Sequence, residues 1–173
     1  MKKLNLILIT AVMAGASALG QSGIIVAPVP VTNGVTGTLA GSTVMAELFY
    51  GPLASPEGSL TPMLPPVSLT SGYAQFGSVT LPYTPGTTVE IQVRAWDDSS
   101  GLYPQWTSAQ AAWLAGQILG GKSVLANALT QIVPGPAVTF PGITIYQVPE
   151  PSLAALGLLM IALWQARRAK TQR

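Results

Sequence analysis

Nine residues in the middle of the chain alternate between two kinds of side chain: Thr88-Val89-Glu90-Ile91-Gln92-Val93-Arg94-Ala95-Trp96. Successive side chains of a β-strand point to opposite faces of the sheet, so this period of two predicts a half-buried antiparallel strand. One predicted face is apolar and consists of Val89, Ile91, Val93 and Ala95. The other face carries Thr88, Glu90, Gln92, Arg94 and Trp96.

A second strand pattern lies upstream, in residues 43–50. One of its faces holds Val44, Ala46, Leu48 and Tyr50, and the other holds Thr43, Met45, Glu47 and Phe49. Weaker patterns predict strands in residues 35–40, 73–81, 123–129 and 137–148, with Pro141-Gly142 dividing the last.

Proline limits two further stretches. Residues 24–30 predict an edge strand or an extended linker, because Pro28 and Pro30 cannot donate to a central ladder. Residues 51–66 hold five prolines and predict a long exposed loop.

One segment, residues 107–119, has helical character. Its Ala109, Ala112, Trp113 and Gly116 share a face at helical spacing. Thr107 or Ser108 would cap its start, and Gly120-Gly121 would end it. We therefore predict a mainly β fold over residues 21–147. It would be an antiparallel β-sandwich, either plain or jelly-roll-like, with one short inserted helix.

Composition excludes several kinds of function. The 173 residues include no cysteine and no histidine, which removes thiolate nucleophiles, disulfides and the usual near-neutral base. The formal net charge is +2, but residues 21–148 hold two basic and five acidic side chains, so the basic charge lies at the ends. No basic cluster remains to follow a phosphate backbone, and nucleic acid is not an expected partner.

The N-terminal residues 1–20 have the pattern of a signal peptide. Lys2 and Lys3 precede an apolar run over residues 4–14, and small residues then allow cleavage after Ala18 or after Gly20. The alternative is an uncleaved anchor, but the run of 11 residues is short for a hydrocarbon core of about 30 Å. We expect export through the secretion machinery, with removal of this segment by signal peptidase.

The C-terminal residues 148–173 combine three features in order. Val148-Pro149-Glu150-Pro151-Ser152 predicts a stiff, extended entry. Residues 153–166 predict a short transmembrane helix, about 21 Å long at 1.5 Å per residue. Residues 167–173 form a basic end that stays on the cytoplasmic side.

This tail resembles the PEP-CTERM sorting signal. The resemblance implies recognition at Val148, Pro149, Glu150, Pro151 and Ser152, and cleavage near Pro-Glu-Pro, by an exosortase, a membrane cysteine transpeptidase of exopolysaccharide-producing Gram-negative bacteria. A plain tail anchor with a chance motif is the alternative. The middle domain also resembles the small β-rich domains of verrucomicrobial-type PEP-CTERM proteins, through Ala46-Glu47-Leu48-Phe49-Tyr50-Gly51-Pro52, Gln92-Val93-Arg94-Ala95-Trp96-Asp97 and Gly121-Lys122-Ser123.

The middle domain offers three candidate sites. Trp96, Tyr103 and Trp106 would form a sugar-stacking platform if exposed, whereas Trp96 and Trp113 would otherwise fill the core. Asp97 and Asp98 suggest a calcium loop, but they lack the spaced acidic pattern and are more typical of a polar turn. The available acids for glycoside hydrolysis are Glu47, Glu90, Asp97 and Asp98, all at positions expected for solvent-facing strands and turns.

These features predict a non-enzymatic protein with no cofactor and with a structural or adhesive role. It would begin as a precursor anchored in the inner membrane and end at the cell surface or in the extracellular matrix of a biofilm. The alternative is a carbohydrate-binding module for exopolysaccharide, and a third hypothesis is a secreted glycoside hydrolase.

Overall fold

A computed structural model describes residues 22–132 and 135–149. The predicted signal helix, transmembrane helix and basic end lie outside these residues. The described part is mainly β, with one α-helix, α1 (Trp106–Leu114), and one short 3-10 helix (Glu57–Ser59). Its strands are β1 Ser22–Val26, β2 Val29–Asn33, β3 Val44–Pro52, β4 Thr61–Ser68, β5 Tyr73–Ala74, β6 Gly77–Leu81, β7 Thr88–Asp97, β8 Gly120–Lys122, β9 Ala126–Leu129, β10 Ala137–Val138 and β11 Ile143–Ile145.

The strand β7 lies at the centre of the largest sheet. It pairs antiparallel with β3 over their full overlap, from Val44 opposite Asp97 to Pro52 opposite Val89. On its other side it pairs with β8 and then with β9. The strand β4 adds to the far side of β3. The two clearest strand predictions, residues 43–50 and 88–96, are therefore confirmed to within two residues at each end.

Two smaller sheets contain the ends of the described chain, in the orders β10-β1-β6 and β11-β2-β5. The expected all-antiparallel pairing is wrong here, because β10 runs parallel to β1 and β11 runs parallel to β2. Alternation along one strand reveals its buried face, but it carries no information on the direction of a distant partner.

The main core draws on all three sheets. Its buried side chains include Ile24 from β1, Val31 from β2, Leu48 from β3 and Ile91 from β7. Each such aliphatic side chain contributes about 1.5–3 kcal/mol when it leaves water. The apolar faces predicted for β3 and β7 are the ones that enter this core.

Two predictions that were based on proline positions are wrong. Residues 51–66 are not one exposed loop, because β4 begins at Thr61 and pairs with β3. The prolines of β4 are tolerated because this strand lies at the edge of its sheet. Residues 24–30 are neither an edge strand nor a linker. They belong to β1 and β2, which break around Pro28, and each of these strands has neighbours on both sides.

The weaker strand predictions have mixed outcomes. Residues 35–40 form a turn, in which the Asn33 side chain accepts the Val35 N–H at 2.8 Å. Residues 73–81 divide into β5 and β6, and residues 123–129 shorten to β9. Residues 137–148 divide into β10 and β11 around Pro141-Gly142, as expected.

The helix α1 is shorter than predicted. Neither Thr107 nor Ser108 is its N-cap, a position that Gln105 occupies without a side-chain hydrogen bond. The helix ends at Leu114 because Gly116 adopts the left-handed conformation, with a φ of 69°. The Gly116 N–H donates to the Trp113 carbonyl and the Gln117 N–H to the Ala112 carbonyl, as in a Schellman motif. No helix among the described residues is long and apolar enough to cross a membrane.

The pair Gly120-Gly121 belongs to β8 and does not end the helix. A Cβ atom at Gly121 would collide with the backbone carbonyl of Thr144, so glycine is required where β8 approaches β11.

We expect Gly121→Ala to lower the free energy of unfolding by about 1–3 kcal/mol, the usual cost of overpacking. The matched control is Gly41→Ala, where the added methyl group meets open space. Urea unfolding measures both variants, and equal stability of the two would contradict this packing.

Candidate functional site

The second face of β7, predicted to be polar, lies beneath α1. Trp96 from β7 and Trp106 from α1 are both 0% exposed. Their rings meet edge to face at 6.0 Å, and Trp106 in turn packs on Trp113 at 5.4 Å. The Trp96 Nε1–H donates to the Tyr103 carbonyl at 2.7 Å, so the polar edge of its ring is also occupied. A second apolar cluster therefore covers this face, formed by Phe49, Leu60, Trp96, Trp106, Ala109 and Trp113.

This burial corrects the predicted sugar-stacking platform. Trp96 and Trp106 present no ring face to solvent, and Tyr103 is half-buried against the same cluster. Aromatic rings bind a sugar only when a face is accessible, so these three residues do not form such a platform. The competing interpretation, in which Trp96 and Trp113 fill the core, is confirmed.

A buried charge lies within this second cluster. The Arg94 guanidinium stacks on the Phe49 ring at 3.9 Å from the ring centre. Its Nε–H donates to Gln92 Oε1 at 2.8 Å, and its Nη2 donates to the Glu57 carbonyl at 2.8 Å. The Glu57 carboxylate bridges outward to Lys122, with Nζ and Oε1 2.6 Å apart. Arg94 thus joins β7, β3 and the 3-10 helix in one polar network.

Glu47 is the second charged group under α1. It lies directly opposite Arg94 in the β3–β7 register and is 1% exposed. Its Oε2 accepts the Trp106 backbone N–H at 3.1 Å, at the start of α1, while its Oε1 has no protein partner. The expectation that Glu47 faces solvent is wrong, because α1 covers this face of the sheet.

The two glutamates of this network titrate in opposite directions. Burial raises the pKa of the Glu47 carboxyl, and the Trp106 N–H and Arg94 offset the rise only in part. The hydrogen bond from Lys122 holds the pKa of the Glu57 carboxyl below its usual range. The cluster therefore combines one carboxyl that favours its proton with one that favours its charge.

Glu47 and Glu90 do not have the spacing of a glycosidase pair. Glu47 lies opposite Arg94, and Glu90 lies four residues from Arg94 along β7. At about 3.3 Å per residue, Glu47 and Glu90 are roughly 13 Å apart along the sheet. Known glycosidase pairs are separated by about 5–9.5 Å.

Asp97 and Asp98 form a turn. Asp97 Oδ1 accepts the Ser99 N–H at 3.0 Å, and Asp98 Oδ1 accepts the Tyr103 N–H at 2.8 Å. Within residues 22–132 and 135–149, no three acidic side chains gather closely enough to hold a metal ion. These two carboxylates stabilise the connection from β7 to α1.

Two open grooves lie at opposite edges of the sheets. One, of about 400 Å³, is lined by β4 and β6, and the other, of about 350 Å³, is lined by β9 and β10. None of their lining residues is acidic or basic. These grooves therefore offer no group for proton transfer.

Residues 146–148 lie near the end of the described chain and are here called the exit segment. The Tyr146 N–H and carbonyl pair with the carbonyl and N–H of Gly120, each at 3.0 Å. Val148 packs against the second cluster and Pro149 is exposed. Of the predicted sorting motif, Val148 and Pro149 are described, whereas Glu150, Pro151 and Ser152 lie outside the described residues.

The predictions missed the network around Arg94, the burial of Glu47 and the contacts of the exit segment. One signal was available: Arg94 and Trp96 alternate with an apolar face, and aromatic neighbours often accompany a covered arginine. No family model, curated protein or solved structure matches this chain. Its function must therefore be argued from its own residues.

The raised pKa of Glu47 gives a test of the buried cluster. Its proton is bound more tightly in the folded state, so wild-type stability falls as the pH rises from the unfolded-state value of 4.5 through the folded-state pKa. Glu47→Gln cannot ionise, and we expect its stability relative to wild type to increase across that window. Urea unfolding of residues 21–149 between pH 3 and pH 8 measures this difference.

Glu57→Gln is the matched control with the opposite sign. The pKa of Glu57 is lowered, so its contribution exists above pH 4.5 and disappears as the pH falls through the folded-state pKa. This variant should therefore lose stability relative to wild type at neutral pH. If Glu47→Gln also lost stability with rising pH, attraction to Arg94 would outweigh the desolvation of Glu47.

Proposed function

We propose that this chain is an exported protein whose tail, residues 148–173, is a sorting signal of the PEP-CTERM type. Its mature domain would be a β-sandwich that serves as a structural or adhesive unit at the cell surface or in an exopolysaccharide matrix. Its processing partners would be signal peptidase, the secretion machinery and an exosortase. The precursor would be held in the inner membrane by residues 153–166 until the tail is cut.

The observation that carries this proposal is the fit between the folded domain and the predicted processing points. Ser22 is already in β1, is buried, and its hydroxyl donates to the Tyr83 carbonyl at 2.8 Å. Cleavage after Ala18 or Gly20 therefore removes no residue of the first strand. At the other end, Val148 packs against the second cluster, and Pro149 begins the Pro-Glu-Pro motif.

The arrangement of the sheets supports a sandwich. The main core takes side chains from both small sheets and from β3 and β7 of the large sheet. Two layers of sheet around one apolar core are what a sandwich requires. With the parallel pairs formed by β10 and β11, the proposed sandwich would be a mixed one, in place of the purely antiparallel jelly-roll-like form.

The use of the charged side chains supports a structural role for the mature domain. Arg94 and Lys122 both bind Glu57, and Asp97 and Asp98 stabilise a turn. Their hydrogen-bonding capacity serves the fold. The carbohydrate-binding alternative loses its proposed platform, because Trp96 and Trp106 are buried.

Intact-mass measurement of the mature protein in its native host tests the sorting proposal. We expect the mature pool to begin after Ala18 or Gly20 and to lack the residues beyond the Pro-Glu-Pro motif. A Glu150→Ala variant should keep its tail while still losing its signal peptide, because only the motif has changed. A wild-type pool that retains the terminal two dozen residues would contradict the proposal.

A further inference from the structure

The exit segment is held by several contacts at once. Besides the paired backbone hydrogen bonds with Gly120, the Tyr146 carbonyl accepts the Trp113 Nε1–H at 3.0 Å. The Tyr146 and Trp113 rings meet edge to face at 5.7 Å. Gln147 Nε2 donates to the Gly116 carbonyl. Together with the packing of Val148 on the second cluster, these contacts with Trp113, Gly116 and Gly120 are here called the exit latch.

The latch includes Val148, the first residue of the predicted motif. Pro149 is the single residue between Val148 and Glu150. One extended residue spans about 3.5 Å, so an enzyme bound at Glu150 would have almost no free chain between it and the folded domain. An enzyme that binds a peptide as an extended strand uses the main-chain N–H and C=O groups on both sides of its recognition residues. Those groups of Tyr146 are already paired with Gly120.

We propose that the exit latch restrains processing of the tail, so that the enzyme acts when residues 146–148 detach from α1 and β8. This inference rests on the proposed function. Local opening of a terminal segment is a low-energy event compared with global unfolding, and cleavage then follows the population of the open form. Trp113 and Gln147 act here as positioning residues, since they hold the exit segment and do not belong to the motif.

Two variants release the restraint in different ways. Insertion of Gly-Ser-Gly-Ser-Gly-Val between Val148 and Pro149 leaves every described contact of the latch in place, supplies free extended chain and keeps a valine directly before Pro149, as the motif requires. Trp113→Phe keeps an aromatic ring but removes the N–H that Tyr146 accepts. The matched control is Trp106→Phe, in the same cluster, because the Trp106 Nε1–H has no protein partner.

The experiment is a pulse-chase in the native host that follows loss of the tail, with loss of the signal peptide as the internal measure of export. We expect Trp113→Phe to lose the tail about fivefold faster than wild type, the change that follows from one hydrogen bond of ordinary strength. The insertion variant should lose it at least as fast, because its motif no longer depends on opening of the latch. Trp106→Phe should process at the wild-type rate. Hydrogen exchange of the Tyr146 and Gly120 amides should be faster in Trp113→Phe and unchanged in Trp106→Phe.

The possible outcomes separate this inference from the function on which it rests. Wild-type processing combined with unchanged or slower rates in both latch variants would overturn the latch alone. Equal acceleration by Trp106→Phe and Trp113→Phe would also overturn it, because general loosening of α1 would then explain the effect. If Trp113→Phe fails to fold, the insertion variant decides, since it alters no residue of the domain. A wild-type protein that keeps its tail after export would overturn both proposals.

Discussion

Burial of the Arg94 guanidinium is the constraint on which the rest of this structure depends. Arg94 is 6% exposed, and a charge removed from water destabilises the fold unless hydrogen bonds and opposite charges surround it. Gln92, the Glu57 carbonyl and the Phe49 ring supply those contacts. These contacts come from β7, the 3-10 helix and β3, in that order. The enclosure of one cation therefore fixes these three elements relative to one another. The central sheet is consequently covered on both faces, by the main core on one and by α1 on the other.

The same arrangement shows which features the sequence predicts and which it does not. The strands at residues 43–50 and 88–96 were predictable because alternation is a local signal that needs no partner. The apolar face of α1, with Ala109, Ala112 and Trp113 buried, follows from spacing in the same way. The cover over Glu47 and Arg94 was not predictable, because it depends on a helix that lies 12 positions further along the chain from Arg94. The parallel partners of β1 and β2 come from still more distant segments, about which period-two alternation says nothing.

The outcomes for the predicted site residues also depend on whether the signal is local or needs a tertiary partner. Trp96 and Trp106 are aromatic residues in a cluster, and composition alone does not separate a binding platform from a core; contact with α1 makes them core. The Asp97 and Asp98 carboxylates accept backbone N–H groups two and five residues ahead, respectively, and these hydrogen bonds form a turn. The proposed sorting motif differs from these sites, because a processing enzyme would read it as an extended segment and no tertiary partner would be needed. The helix that buries Arg94 also contacts the exit segment through Trp113, so the second cluster and residues 146–148 are physically linked.

The burial of Arg94 is tested most directly by hydrogen exchange of its side chain, followed by NMR on the domain of residues 21–149. If the guanidinium is enclosed by Gln92, Glu57 and Phe49, its Nε–H should exchange orders of magnitude more slowly than that of a solvent-exposed arginine, together with the amides of β3 and β7. An Arg94 Nε–H that exchanges as fast as an exposed arginine, while those amides remain protected, would show that α1 does not cover the sheet and would contradict the account.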